Sequence, residues 1–358
     1  MIGILTFQKT TNYGSMLQAF ALFSAVKEMG IPCEIIDYEC SKVEKNEMPM
    51  LISDCTSCKK ILRFLLLNKY RKEKVKKFKD FSKENMKISC VRYNRETIMS
   101  ANQYYDGYIV GSDIVWGPEI TGEDTSYFLD FADEDKLRFS YAASLSDELY
   151  KFKDCVGRYL SKFNALSIRE YTGVSLIEEL SGKKVDNVID PTLLFSAEFW
   201  MKYIKKPKID EKYILVYFAL DPVKVFQKVR GLVKRTGYKV VYIQDTLRQP
   251  SDFINIREAS IEEFLGYIKY AELIVTGSYH GVAFSVNFNK QFVTNNVDYT
   301  QRIQCLTEKL RIRDRDINHI DPICEMIDYE EVNIELKKFR EESKKWLEEI
   351  LKNNDASM

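Results

Sequence analysis

Short apolar runs and longer stretches of helical spacing alternate along this chain. The run Gly3–Phe7 reads as a buried strand. A polar loop, Gln8–Tyr13, follows it. From Gly14 the apolar residues Met16, Leu17, Phe20, Phe23 and Val26 recur at helical spacing, until Gly30-Ile31-Pro32 ends the helix. Cys33–Tyr38 is a second strand. This beta-alpha-beta opening continues through runs at Asp106–Val110, Arg138–Ala143, Ala165–Arg169 and Val185–Asp190. Residues 39–58 read as an irregular loop. A second series begins with the strand Tyr213–Ala219, the helix Val223–Thr236 and the strand Lys239–Ile243. Ser260-Ile261-Glu262-Glu263 has the form of a capping box and opens a helix to about Tyr270. Then come a strand at Leu273–Val275, a turn at Thr276-Gly277-Ser278, a small-residue helix at Gly281–Phe288 and a strand at Gln291–Thr294. Val332, Leu336, Phe339, Trp346, Leu347 and Ile350 predict a long final helix.

Strands that alternate with helices make parallel sheets with crossovers. A chain of 358 residues exceeds what one core usually spans. The polar, proline-containing Lys205-Lys206-Pro207-Lys208 marks a boundary. The expected architecture is α/β, with two doubly wound Rossmann-like domains facing a cleft. Residues 1–204 form one domain and 205–325 the other. A C-terminal helix within 326–358 packs back towards the first.

Composition narrows the function more than the fold. Apolar residues make up 45% and charged residues 30%, as in ordinary globular proteins. Lys plus Arg and Asp plus Glu both number 53, so no global basic field points to nucleic acid. Eight cysteines in a chain this long are no disulfide scaffold. The start, MIGILTFQKTTNYGS, lacks a basic region followed by a long apolar one, and no apolar run is long enough to span a bilayer. A cytoplasmic protein is expected. The segment Lys59–Lys87 stands apart, with 12 basic residues against 3 acidic ones. Its apolar positions Ile61, Leu62, Leu65, Leu66, Phe78 and Phe81 fit an amphipathic helix. Such a helix is either a solvated charged face or a peripheral contact with an anionic membrane surface or a phosphate-bearing substrate.

Candidate chemistry gathers at three strand tips: Asn12-Tyr13-Gly14-Ser15, Gly111-Ser112-Asp113, and Ser278-Tyr279-His280-Gly281. In open parallel sheets ligands bind beyond the carboxyl ends of the strands, and a helix N-terminus there favours anions. His280 is one of only two histidines. It suits an acid–base group, or it merely caps the helix or satisfies a buried carbonyl. Asp113 is a second acid–base candidate. Arg169 has the planar fork that holds a carboxylate or phosphate, or it pairs with Glu170 or Asp190. No G-x-G-x-x-G follows the first strand, and no Walker A sequence is present. Cys55-Thr56-Ser57-Cys58, with Cys33 and Cys40, has irregular spacing for zinc. His319 reads as ordinary surface. Neither metal nor cofactor is expected.

Taken in order, several short pieces resemble the polysaccharide pyruvyl transferase family. They are Asn12-Tyr13-Gly14-Ser15 with Leu17-Gln18-Ala19, Gly111-Ser112-Asp113 with Trp116, Ser167-Ile168-Arg169-Glu170 with Gly173, Asp190-Pro191-Thr192, and Thr276-Gly277-Ser278-Tyr279-His280-Gly281. The resemblance runs from Asn12 to about Asp298. It implies a GT-B-like fold, with the acceptor on the first domain and the donor on the second. The activity it implies is transfer of pyruvate from phosphoenolpyruvate to a cell-surface polysaccharide or lipid-linked oligosaccharide precursor, as a ketal. By motif position His280 and Arg169 would line the donor site. Ser278 departs from the pattern, since several members carry there an Arg that grips the donor. A nucleotide-sugar-dependent glycosyltransferase and a non-catalytic homologue are the alternatives, since both can share this architecture.

Overall fold

Apolar runs bounded by turns become the inner strands of three parallel sheets in the computed structural model, which describes residues 1–218, 223–247, 249–295 and 301–352. Ala219 and Asp298, named above as the ends of a strand and of the resemblance, lie outside the described residues. The first sheet is built from β1 (Ile2–Leu5), β2 (Cys33–Tyr38), β3 (Ile88–Tyr93), β4 (Gly107–Val110) and β6 (Leu137–Ser140), in the order β3-β2-β1-β4-β6. The second takes β5 (Asp113–Trp116), β7 (Ala143–Leu145), β8 (Leu166–Ile168) and β9 (Val185–Asn187), in the order β5-β7-β8-β9. The third has β10 (Tyr213–Tyr217), β11 (Lys239–Ile243), β12 (Ile254–Ile256), β13 (Leu273–Thr276) and β14 (Gln291–Val293), in the order β12-β11-β10-β13-β14. Every pairing between these strands is parallel.

Where this differs from the pattern along the chain, the reasons are local. The run Arg138–Ala143 is divided between β6 and β7, because Ala142 takes a left-handed φ of 48° and carries the chain from one sheet to the next. The strands β3 and β12 are edges, and most of their side chains are partly or fully exposed. An edge strand needs no continuous apolar run, so neither announces itself. Residues 39–58 include a helix at Ser41–Glu47 and one turn of 3₁₀ helix at Ile52–Asp54. The basic segment is a helix at Cys58–Asn85.

The chain forms two compact units. The first comprises Met1–Glu47, Phe81–Leu194 and Lys337–Met358, and holds the first two sheets. The second comprises Met48–Asp80 and Phe195–Leu336, and holds the third sheet. Residues 48–80, which lie in the first half of the sequence, thus belong with the second unit. Arg71 pairs there with Asp245 at 2.9 Å, and Lys77 donates to the carbonyl of Glu258 at 2.8 Å. The final helix, Tyr329–Lys352, divides between the units after Leu336. Within the first unit its Trp346 Nε1 donates to Asp186 at 2.9 Å, its Arg340 Nε donates to the Leu193 carbonyl at 2.6 Å, and its Ser343 Oγ accepts from the Ile189 amide at 2.9 Å. Phe339 and Leu347 are buried beside these bonds.

No helix among the described residues is long and apolar enough to cross a membrane.

Candidate functional site

In the first unit, β1 and β4 are adjacent central strands whose connections leave towards opposite edges of the sheet. Such a reversal opens a crevice at the strand ends. The tips Asn12–Ser15 and Gly111–Asp113 meet at this place. Asn12 caps the helix Tyr13–Glu28, its Oδ1 accepting from the amides of Gly14 at 2.9 Å and Ser15 at 3.3 Å. Tyr13 is buried within the same turn. Ser15 Oγ donates to Asp113 Oδ2, while Asp113 Oδ1 accepts from the Ile114 amide at 2.9 Å. Asp113 itself has φ 72°. A Cβ on Gly111 would lie 2.4 Å from the Tyr141 carbonyl oxygen, and its φ is +113°, so only glycine fits that bend.

Ser112 is sealed among these groups. Its amide donates to Gln18 Oε1 at 3.0 Å, its hydroxyl donates to the Ala142 carbonyl at 2.8 Å, and Asp190 Oδ2 lies 3.3 Å from that hydroxyl. Arg169 then enters from the side. Its Nη1 donates to Asp190 Oδ2 at 2.9 Å and its Nε to Glu170 Oε1 at 3.0 Å, with the Arg side chain only 3% exposed. Ser144 donates to the same Glu170 oxygen at 2.8 Å, and Thr192 donates to Asp190 Oδ1 at 2.7 Å. The two pairings considered for Arg169 from sequence are therefore both present. The guanidinium is the one cation shared by two buried carboxylates, which would be costly to bury unpaired. It thereby holds the Ser112 tip from beneath.

Of the polar residues that make this network possible, Asp190 and Glu170 stand in the sequence as candidate partners of Arg169, and Gln18 only as part of a motif. Gln18 carries a physical signal of its own. It sits among the apolar positions of a buried helix, where a glutamine must find partners. Gln18 Nε2 donates to Thr6 Oγ1 at 2.8 Å, and Thr6 in turn donates to the Ser112 carbonyl at 3.2 Å.

In the second unit, β10 and β13 stand in the same relation as β1 and β4. Ser278 is the N-cap of the helix Tyr279–Asn287, which begins two residues earlier than the apolar run suggests. Tyr279 and His280 thus lie in its first turn instead of in the loop before it. Ser278 Oγ accepts from the Gly281 amide at 3.4 Å, and the Ser278 amide donates to Thr276 Oγ1 at 3.1 Å. Thr276 Oγ1 donates to the Tyr217 carbonyl at 2.6 Å, which ties the turn to β10. A Cβ on Gly281 would lie 2.3 Å from Thr276 Oγ1, so the helix start is pressed onto the end of β13. The imidazole of His280 stands edge-on to the Tyr279 ring, with centroids 5.2 Å apart, and the residue is 7% exposed. No acid lies in the first turn of this helix, so nothing in that turn offsets the positive end of its dipole.

The remaining candidates fall elsewhere. Cys33 Sγ donates to the Phe23 carbonyl and Cys40 Sγ to the Thr121 carbonyl, and burial pushes the Cys33 thiol up to about 12. A thiol so raised is a poor ligand. Among the described residues no cluster of His, Cys, Asp or Glu could hold a metal ion. His319 is exposed and bonded to Asp314 at 2.9 Å, which raises it above the ordinary histidine value.

Set against known proteins, residues 12–299 match a family model described as polysaccharide pyruvyl transferase. No curated protein matches the chain. Among solved structures, the UDP-GlcNAc 2-epimerase of Methanocaldococcus jannaschii is similar with a TM-score of 0.52 and 11% identity, over 94% of this chain and 91% of that one. A protein assigned as a UDP-N-acetylglucosamine 2-epimerase from Listeria monocytogenes gives a TM-score of 0.54 and 10% identity, over 94% and 90%. At such identities the likeness is one of fold alone, and the fold is the GT-B type of α/β protein.

Proposed function

We propose that this chain, which belongs to the polysaccharide pyruvyl transferase family, transfers pyruvate from phosphoenolpyruvate to two hydroxyls of a saccharide, forming a ketal and releasing phosphate. The supporting observation is His280 in the first turn of a helix at the sheet's switch point, with no acid in that turn.

The chemistry asks for few groups. A proton must reach the methylene carbon of the enol. One sugar oxygen adds at C2 and gives up its proton. The bond from C2 to the phosphate oxygen breaks, a second sugar oxygen adds in its place, and phosphate leaves with the proton that this second hydroxyl gives up. In this reading His280 supplies and recovers protons on the donor. The helix end at Ser278, Tyr279 and Gly281 favours the donor's negative groups. Asp113, held by Ser15 and the Ile114 amide, takes the proton from the acceptor hydroxyl. Asn12, Tyr13 and Gly14 shape the same turn, and Gly111 and Ser112 set the angle at which Asp113 is presented. Arg169 acts at one remove, holding Ser112 through Asp190. Ser278, where several relatives carry Arg, leaves the donor's anionic groups to the helix end and His280.

The test is binding followed by turnover. Calorimetry should show phosphoenolpyruvate binding and no binding of UDP-sugars; the reverse result would move the chain to the nucleotide-sugar glycosyltransferases, and binding of neither would mark a non-catalytic homologue. With a diol-bearing saccharide acceptor, phosphate release should follow phosphoenolpyruvate consumption one for one.

A further inference from the structure

The helix Cys58–Asn85 has two unlike halves. Its second half is committed to the protein: Phe78 and Phe81 are buried, and Lys77 bonds the Glu258 carbonyl and Glu263. Its first half is not. Ile61, Leu62, Leu65 and Leu66 are all exposed, Leu65 by 69%, and at this spacing they share one helix face. Leu51 and Ile52 are exposed in the preceding segment, Ile52 by 80%. Asn68 Nδ2 ties that segment to the helix by donating to the Met50 carbonyl at 3.2 Å. Lys60, Arg63, Lys69 and Lys72 are exposed on the same stretch, and no acidic residue occurs from Cys58 to Lys72.

Six large aliphatic side chains in water are an unusual expense for a surface that serves only solubility. We propose that the segment Leu51–Lys72 docks in the plane of an anionic lipid surface. Its aliphatic residues would enter the headgroup–acyl boundary, and Lys60, Arg63, Lys69 and Lys72 would meet lipid phosphates. Charge argues for this occupant. A second copy of the chain, placed face to face about a two-fold axis, would set these basic side chains against one another. A lipid bilayer supplies negative charge and hydrocarbon together, and hydrocarbon asks for no directional partners. The surface is narrower than the basic segment as a whole, because Arg71 and Lys77 already serve Asp245 and Glu258. The inference does not depend on the donor chemistry proposed above.

Vesicle co-sedimentation of the full chain tests it, with phosphatidylcholine vesicles compared with vesicles containing phosphatidylglycerol. The wild type should sediment with the anionic vesicles and be released by high salt. Each basic residue near such a surface is worth about fivefold in affinity, so Lys60→Gln with Arg63→Gln should weaken binding about 30-fold. Leu65→Ser should weaken binding to the same vesicles while leaving the circular dichroism spectrum and the salt dependence intact, since Leu65 is exposed. Absence of sedimentation, equal sedimentation with neutral vesicles, or variants that bind like the wild type would each overturn the proposal. So would a wild-type dimer in light scattering that Leu65→Glu converts to monomer, which would assign the face to a second copy.

Discussion

The two units run their main sheets by one wiring diagram and use its central crevice differently. In each, the first strand of the unit lies at the centre, its successor on one side and the switch strand on the other. At the switch point of the first unit, buried charge fixes the backbone: Arg169, Asp190 and Glu170 carry the Ser112 tip, and Ser15 holds Asp113. At that of the second, neutral hydroxyls and a tight glycine do the fixing, and a titratable imidazole heads the helix. The same frame thus yields one tip where two carboxylates share a single buried cation and one where the first turn of the helix carries no acid. A buried ion pair contributes shape at a cost in desolvation, whereas a helix end offers attraction without a committed partner.

The largest expected effect lies at the second tip. His280→Ala should lower phosphate release by about 10²–10⁴-fold, the usual worth of acid–base catalysis, with the circular dichroism spectrum unchanged. His280→Gln should keep phosphoenolpyruvate affinity in calorimetry while losing turnover. A His280→Ala protein that retains its rate would make the imidazole structural and erase the contrast between the tips.

At the first tip the effect should appear in stability. Arg169→Met leaves two buried carboxylates without their cation, a loss of about 3–5 kcal/mol in the free energy of unfolding, measurable by urea denaturation. A variant of unchanged stability that has lost only phosphoenolpyruvate affinity would make Arg169 a donor ligand after all. Gly281→Ala should cost less, about 1–3 kcal/mol by overpacking against Thr276. Gly231, on an exposed helix face with nothing within 4 Å of its missing Cβ, is the control. Gly231→Ala should stabilise by about 0.5–1 kcal/mol.

The smallest effect concerns the second histidine. His319 is raised by its hydrogen bond to Asp314 and, less, by Asp316, so its ring resonances should titrate above the ordinary value of 6.5, and Asp314→Asn should lower them towards it. A raised folded-state value means that the contribution of this pair is present at lower pH. It is lost as pH rises through the window between the ordinary value and the raised one. The pair is exposed, so the change in stability should be slight; a midpoint at or below 6.5 would remove the pair from consideration.

Much of this molecule was legible from residue order. Inner strands such as Cys33–Tyr38 and Lys239–Ile243 matched their apolar runs residue for residue, since burial on both faces demands such runs. The capping box at Ser260 and Glu263 is present, because it depends only on residues within one turn. The family followed from the order of the motifs at the tips. What residue order did not contain were relations between distant positions. Edge strands β3 and β12 pair through their backbones and leave most of their side chains partly or fully exposed. The partners of Arg169 include Asp190, 21 residues away, and those of Ser112 include Gln18, 94 residues away. Whether an arginine reaches for a ligand or for two carboxylates is set by which strands lie side by side, and sequence alone leaves both open. The basic helix shows the same division. Its spacing establishes a helix, but only the tertiary packing decided that Phe78 and Phe81 turn inward while Leu62 and Leu65 face water, because a stripe's burial depends on whether another surface is there to cover it.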